Sequence, residues 1–313
     1  MFAHTQEAFG QFVLHKIYNE ASQTGFTIVP AYGGIMLDLQ FGGTSIIDGY
    51  KTPIELDIAN WGKSILLYPF PNRLRDGIYH WGGETYTFPI NDSYTDNAIH
   101  GIGKTAPMNI HQVHTSESAA TLSCQFYYQG QHEYYPFPFV FTASFTITNA
   151  TLEVELSMEN QADVSIPVGF GWHPYFALSE DIRDSEIKLP PLDMVGIDDR
   201  MIPTGKRYYF DEFLEKKKIG ATVLDNCFAV KAEPGQDRMH IQLSGEKGTI
   251  DYWQEIGPQK YQFVQLFMPP MRESIAIEPM TCNVDAFNNG DGLMHLEVGE
   301  KVAAKFGLKY SKS

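Results

Sequence analysis

Hydrophobic and polar residues alternate with a period of two along most of this chain, the signature of strands with one buried face. The pattern predicts strands at Phe12 to Tyr18, Gly25 to Pro30 and Ile35 to Phe41, the last running into a Gly42-Gly43 turn. Ser144 to Ile147 and Leu152 to Met158 flank Asn149-Ala150-Thr151 and predict a hairpin. Ile241 to Leu243, Thr249 to Trp253, Tyr261 to Met268 and Val302 to Tyr310 add further strands. Helical periodicity is scarce, and Phe210 to Lys218 is the best candidate. Many short strands with few helices define an all-β chain, a large antiparallel β-sandwich with few short helices. Such a sandwich presents one broad concave face.

Two segments of this pattern each deliver a titratable side chain immediately before a proline, in Gly169-Phe170-Gly171-Trp172-His173-Pro174 and Ser274-Ile275-Ala276-Ile277-Glu278-Pro279. The proline ring keeps the preceding residue out of the helical region, so His173 and Glu278 are expected on extended backbone. Strand alternation puts Ile166, Val168, Phe170 and Trp172 on one face, and Gly169, Gly171 and His173 on the other. Glu278 shares its face with Ser274 and Ala276. Both titratable groups thus stand on faces stripped of bulk, where a ligand has room to approach. A carboxylate and an imidazole so presented suggest acid–base chemistry on a bound molecule.

Composition narrows the function. At 313 residues, 43% hydrophobic and 13% aromatic, the chain can build a large core of the kind strands favour. Nothing resembling a linker or repeat divides it, so residues 1–313 are expected to form a single domain. A net charge of −15 offers no basic stripe for nucleic acid. The run Lys216-Lys217-Lys218 follows Asp211, Glu212 and Glu215 and reads as a solvated face. Cys124, Cys227 and Cys282 are far apart, which suits reduced, buried thiols in a cytoplasmic protein. No stretch approaches the ~18 apolar residues of a membrane span, and the start lacks signal-peptide features.

Other motifs are ambiguous or fail. In Phe70-Pro71-Asn72-Arg73-Leu74-Arg75-Asp76-Gly77, stiff backbone could present Asn72 and Arg73 to a polyol, or Arg73 could simply meet a surface carboxylate. His100 closes the polar stretch Asn91 to Asn97 as a packed histidine or a catalyst, and Asp225 at the end of Val223-Leu224 is turn chemistry until context raises it. His132-Glu133 has Pro136 where a zinc protease needs its second histidine. His111 and His114 would face opposite sides of a strand. Neither glycine pair continues into a nucleotide-binding loop, no GxSxG is present, and Cys227 lacks a nucleophile's motif. Neither a metal nor an organic cofactor is expected.

Five segments, in order, resemble the aldose 1-epimerase (galactose mutarotase-like) family. They are Asn72 to Gly77; Trp81-Gly82-Gly83-Glu84-Thr85-Tyr86 with Ile99-His100-Gly101; Gly171 to Phe176; Asp225-Asn226-Cys227-Phe228; and Ala276 to Thr281. The resemblance extends from about Pro30 to Gly307, and Phe70-Pro71 and Ile102-Gly103-Lys104-Thr105 place the chain in a less characterised branch. It implies a β-sandwich with a concave sugar-binding face. By position, His173 resembles the family's general acid, Glu278 its general base and His100 its second active-site histidine. Arg73 and Asp225 match substrate-binding positions, with Asn72 beside them.

The activity implied is isomerisation of an aldose at its anomeric carbon, through ring opening and reclosure, in a monomer or homodimer. With ordinary pKa values of about 4.3 and 6.5, Glu278 would be ionised and His173 partly protonated at neutral pH. A non-catalytic sugar-binding module is the alternative on the same fold. A glycoside hydrolase would need two carboxylates, Glu278 and Asp225, across one bond. A phosphorylated hexose finds no basic cluster here.

Overall fold

The computed structural model describes residues 1–312. Its three large sheets are antiparallel throughout. A nine-stranded sheet runs in the order Asn109–Thr115, Ala119–Tyr128, Phe139–Thr148, Thr151–Asn160, Lys301–Ser311, Gly248–Glu255, Arg238–Gly245, Glu186–Lys188, Lys217–Lys218. An eight-stranded sheet runs Pro203–Phe210, Leu192–Ile197, Asp225–Val230, Phe263–Phe267, Ile275–Met280, Gly171–Trp172, Leu66–Leu67, with Tyr175–Phe176 also paired to Ile275–Met280. A five-stranded meander is formed by the first forty-odd residues.

The strands follow from the pattern. In Phe139–Thr148, Phe139, Phe141, Ala143, Phe145 and Ile147 are buried while the residues between them are half-exposed. That strand therefore has one core face and one wet face. Phe263–Phe267 and Ile275–Met280 are buried on both faces. Val264, Leu266, Ile275 and Ile277 join the core shared with the nine-stranded sheet, where Trp172 stacks on Phe306 and Phe141 meets Phe170. The opposite face of the same two strands lies under a cleft. Full burial of each large apolar side chain contributes about 1.5–3 kcal/mol, which anchors these strands beneath the site.

Nearly all the expected strands recur, and the hairpin at Asn149-Ala150 joins Phe139–Thr148 to Thr151–Asn160. The expected helix at Phe210 to Lys218 is absent: Phe210 ends a strand, Lys217–Lys218 forms another, and turns connect them. Phe213 is fully buried and Phe210 packs on Phe228, while Ile187 and Glu186 pair with Lys217 and Lys218. Edge pairing and these two aromatic anchors outweigh a helix too short to stand alone. The lysine run is indeed a solvated face, its amines meeting Glu186, Glu212 and Asp184. The segment around His173 is not one strand either. It breaks into Ile166–Val168, Gly171–Trp172 and Tyr175–Phe176, the first pairing with Met294–Leu296 and the others with Ile275–Met280. A bulge at His111 interrupts the expected alternation, and His111 and His114 are both exposed. All three cysteines are free and buried. Among the described residues, no helix is long and apolar enough to cross a membrane.

Candidate active site

Strand register builds the floor of the cleft. Gln265 stands opposite Glu278 on one side and Cys227 on the other. One pleat further on, Phe267 stands opposite Asp225 and Ala276, and Ala276 opposite Tyr175. Residues opposite each other across antiparallel strands share a face, so Asp225, Gln265, Phe267, Ala276 and Glu278 form one surface. Asn72, Arg73, His100 and His173 stand around this floor, and the half-open cleft they line holds about 800 Å³. All six side chains singled out in the sequence line it.

His173 Nε2 lies 3.2 Å from Glu278 Oε1 at the bottom of the cleft. The remaining polar atom of each, His173 Nδ1 and Glu278 Oε2, is buried without a hydrogen-bond partner among the described residues. The backbone of His173 is pinned to the preceding loop: its N–H donates to the Ile65 carbonyl at 3.1 Å, and its carbonyl accepts from Ser64 at 2.8 Å. Its ring stacks on Tyr175, centroids 4.9 Å apart.

Burial disfavours charge on both members of the pair. It raises the Glu278 carboxyl well above the usual range, Asp225 adding to the rise and Arg73 opposing it. It lowers His173 from 6.5 to about 3. The ordinary values expected from the sequence therefore do not hold, because neither group faces water. The glycines beside His173 also differ from expectation. A Cβ on Gly171 would strike the Pro279 carbonyl, and one on Gly169 would strike Cys282 Sγ. Those small residues admit neighbouring chain, not ligand.

His100 and Asn72 are locked together. The His100 N–H donates to the Asn72 carbonyl at 2.8 Å, and the Asn72 N–H donates to His100 Nδ1 at 3.2 Å. Both residues take left-handed backbone, φ 65° and 58°, a conformation that Asn and His accept more readily than most. With Nδ1 accepting, a neutral His100 carries its proton on Nε2. Desolvation first, then His173, hold the His100 imidazole well below its ordinary pKa. The two imidazoles meet edge to face at 5.4 Å.

Arg73 is both things the sequence left open: it lines the cleft and it meets a carboxylate. Its Nε donates to Asp92 Oδ2 at 2.8 Å and to Thr95 Oγ1 at 3.3 Å. Asp92 is held in turn by the Thr95 hydroxyl at 2.6 Å, and that bond, with Arg73, keeps its pKa low against the opposing effect of burial. Asn72 Nδ2 donates to Gln265 Oε1 at 3.3 Å, and Gln265 Nε2 donates to Asp225 Oδ1 at 3.0 Å. Burial raises the Asp225 pKa, with Arg73 and Gln265 pulling it down. Gln265 and Asp92 are the residues that sequence reasoning missed. The signal for Gln265 was a single amide inside the apolar run Phe263-Val264-Gln265-Leu266-Phe267. Among the described residues, no group of three or more His, Cys, Asp or Glu side chains is arranged to hold a metal.

Comparison with known proteins agrees with this architecture. The aldose 1-epimerase family profile matches residues 21–309, and the chain belongs to that family. An uncharacterised protein, YihR of Escherichia coli K12, is 29% identical over 283 residues, covering 88% of this chain and 86% of its own. Among solved structures, a galactose mutarotase-like protein from Clostridium acetobutylicum superposes with a TM-score of 0.86 at 19% identity, over 100% of this chain and 99% of that one. Galactose 1-epimerase from Lactobacillus acidophilus gives 0.83 at 16% identity, with the same coverage. These two structural similarities establish a galactose mutarotase-like fold.

Proposed function

We propose that this protein is an aldose 1-epimerase, a mutarotase that interconverts the α and β anomers of a hexose, with Glu278 as base and His173 as acid. The observation that carries this reading is the His173–Glu278 contact of 3.2 Å at the floor of a cleft, each group with its second polar atom unpartnered. A buried polar atom without a partner costs about 1–3 kcal/mol, and a hydroxyl-bearing ligand relieves that cost.

Opening the ring takes the proton from the anomeric O1 and delivers one to the ring oxygen as the C1–O5 bond breaks. Glu278, as carboxylate, receives the first; His173, as imidazolium, gives the second. The products are an open-chain aldehyde, a neutral carboxylic acid and a neutral imidazole. Rotation about C1–C2 presents the other carbonyl face, and the same two transfers in reverse close the ring. The burial that pushes both pKa values towards the neutral forms favours the protonation state of the ring-opened intermediate. Arg73, next to the floor, opposes that shift in Glu278 without reversing it.

His100 Nε2–H is available to the ring oxygen or a neighbouring hydroxyl, and Arg73, Asn72 and Asp225 supply the remaining polar contacts. Each positioned acid or base contributes on the order of 10²–10⁴ in rate. The test is polarimetry or anomeric-proton NMR on freshly dissolved α-D-glucose and α-D-galactose, with wild type and Glu278→Gln. Acceleration by the wild type that the variant loses, while still binding sugar, supports the reading. Retention of most activity by Glu278→Gln would sink the assignment of the base.

A further inference from the structure

One wall of the cleft has no part in the proton transfers. Between Ala59 and Ser64 the chain passes the cleft with three non-glycine residues in left-handed backbone: Ala59 at φ 49°, Trp61 at φ 63° and Ser64 at φ 58°. For a residue as bulky as tryptophan this conformation is a true outlier, and such outliers persist where surroundings and function demand them. The loop is held by its backbone. The Tyr175 hydroxyl donates to the Trp61 carbonyl at 2.7 Å, and the Tyr50 hydroxyl donates to the Asn60 carbonyl at 2.8 Å. Ser64 donates to the His173 carbonyl at 2.8 Å. None of these bonds uses the indole, which remains 50% exposed at the cleft.

The indole instead extends a row of rings. His173 stacks on Tyr175 at 4.9 Å; Tyr175 meets Phe267 edge to face at 6.2 Å; Phe267 lies beside Trp61 at 5.9 Å with planes 30° apart. The row leads from the reacting pair to the half-exposed indole, and Trp61 and Phe267 both line the cleft. A pyranose carries its hydroxyls mainly around its rim and presents C–H bonds on its faces. Those hydrogens bear partial positive charge, and aromatic faces are negative, so a sugar ring seats well against such a wall. The polar side chains that would take the rim hydroxyls, Asn72, Arg73 and Asp225, belong to other elements of the same cleft.

We infer that Trp61, backed by Phe267, is a substrate-binding platform that stacks on the C–H face of the aldopyranose, and that its strained backbone is retained for this contact. The inference rests on the mutarotase reading for its ligand class, but it is separable from it. On the Glu278→Gln background, which should not turn over, tryptophan fluorescence is titrated with D-galactose and D-glucose. In parallel, KM, kcat and Tm are measured for Trp61→Phe, Trp61→Ala and Trp61→Asn on the otherwise wild-type chain.

Saturable quenching is expected, and Trp61→Phe should lose it although Trp81, Trp172 and Trp253 remain. Trp61→Ala should raise KM about tenfold, Trp61→Phe less, with kcat changed by no more than about twofold. Trp61→Asn should match or exceed the wild-type Tm, because asparagine tolerates left-handed backbone. A lower Tm for Trp61→Asn would overturn the platform whether or not any sugar reacts, since the residue would then be kept for packing. Turnover with KM unchanged in Trp61→Ala would also overturn it and leave the mutarotase standing. Quenching by an aldose that the wild type does not turn over would sink the mutarotase and leave the platform. Neither quenching nor turnover with either sugar would sink both.

Discussion

Glu278 Oε1 stands 3.2 Å from His173 Nε2, while Glu278 Oε2 and His173 Nδ1 are buried without a hydrogen-bond partner among the described residues. A pair so placed lacks the additional hydrogen bonds that would make a buried ion pair stabilising. Folding therefore works against charge on either group, and the opposite signs of the two shifts define a pH signature. Glu278 has a raised pKa, so its contribution to stability is complete in acid and is lost as pH rises from the ordinary carboxylate range through the raised value. His173 has a lowered pKa, so its contribution is present above 6.5 and is lost as pH falls from there towards about 3.

Glu278→Gln removes the first dependence. Its Tm should equal or slightly exceed that of the wild type near pH 5, and its advantage should grow on going to pH 9. One pKa unit corresponds to about 1.4 kcal/mol, and each kcal/mol to roughly 2–4 °C in a chain of this size. Differential scanning calorimetry across that range checks it. A Tm difference that stays flat with pH would mean that Glu278 is not held neutral by burial.

Asp92 touches no part of the floor and acts through Arg73, whose Nε it holds at 2.8 Å with help from Thr95. Asp92→Ala frees the guanidinium to swing, so a positioning role predicts KM raised about tenfold with kcat reduced far less. Asp92→Glu, which keeps the charge but shifts it by one methylene, should recover part of the loss. Equal falls in kcat and kcat/KM would instead place Asp92 among the groups that act only in the transition state.

Strands and hairpins were legible because their alternation is a property of a few neighbouring residues, as Phe139–Thr148 and Ile35–Phe41 illustrate. Phe210 to Lys218 misled because Phe213 is buried by tertiary contacts and Lys217 is paired by a distant strand. The six candidate site residues were found through motifs, and the structure gathers them in one cleft. Gln265 was hidden because its role exists only in register: opposite Glu278 and between Asn72 and Asp225, three partners far away in the chain. The protonation states were misjudged for the same reason, since burial is a product of the whole fold.

His100 offers a direct check on tautomer. With Asn72 N–H donating to Nδ1 and the pKa held low by desolvation, the ring should remain neutral with its proton on Nε2 at neutral pH. Nitrogen-15 NMR of the labelled protein should show an unprotonated Nδ1 and no His100 titration between about pH 6 and 8, where an ordinary histidine responds. His100→Asn should slow turnover by about tenfold to a thousandfold through loss of an oxygen-stabilising donor. Titration of His100 near 6.5 would contradict the donor role and leave it a solvated histidine.

Gly171 carries the last prediction, and it concerns the frame and not the chemistry. Gly171 pairs with Met280 on one side and Leu67 on the other, two residues before His173. Its missing Cβ lets the Pro279 carbonyl, the group immediately after Glu278, come against the strand. Gly171→Ala forces backbone atoms apart between the acid and the base, because the obstruction is a carbonyl in a buried strand and cannot rotate away. Overpacking of this kind costs typically ~1–3 kcal/mol or more, a fall in Tm of several degrees. Activity should fall more steeply than stability, since a shift near 1 Å between catalytic groups can cost on the order of 10² in rate. Thermal melts and kcat measured on the same preparation check both parts. A variant with wild-type Tm would show that the strand can shift freely, and the close packing of Gly171 on Pro279 would then not be what sets the spacing of His173 and Glu278.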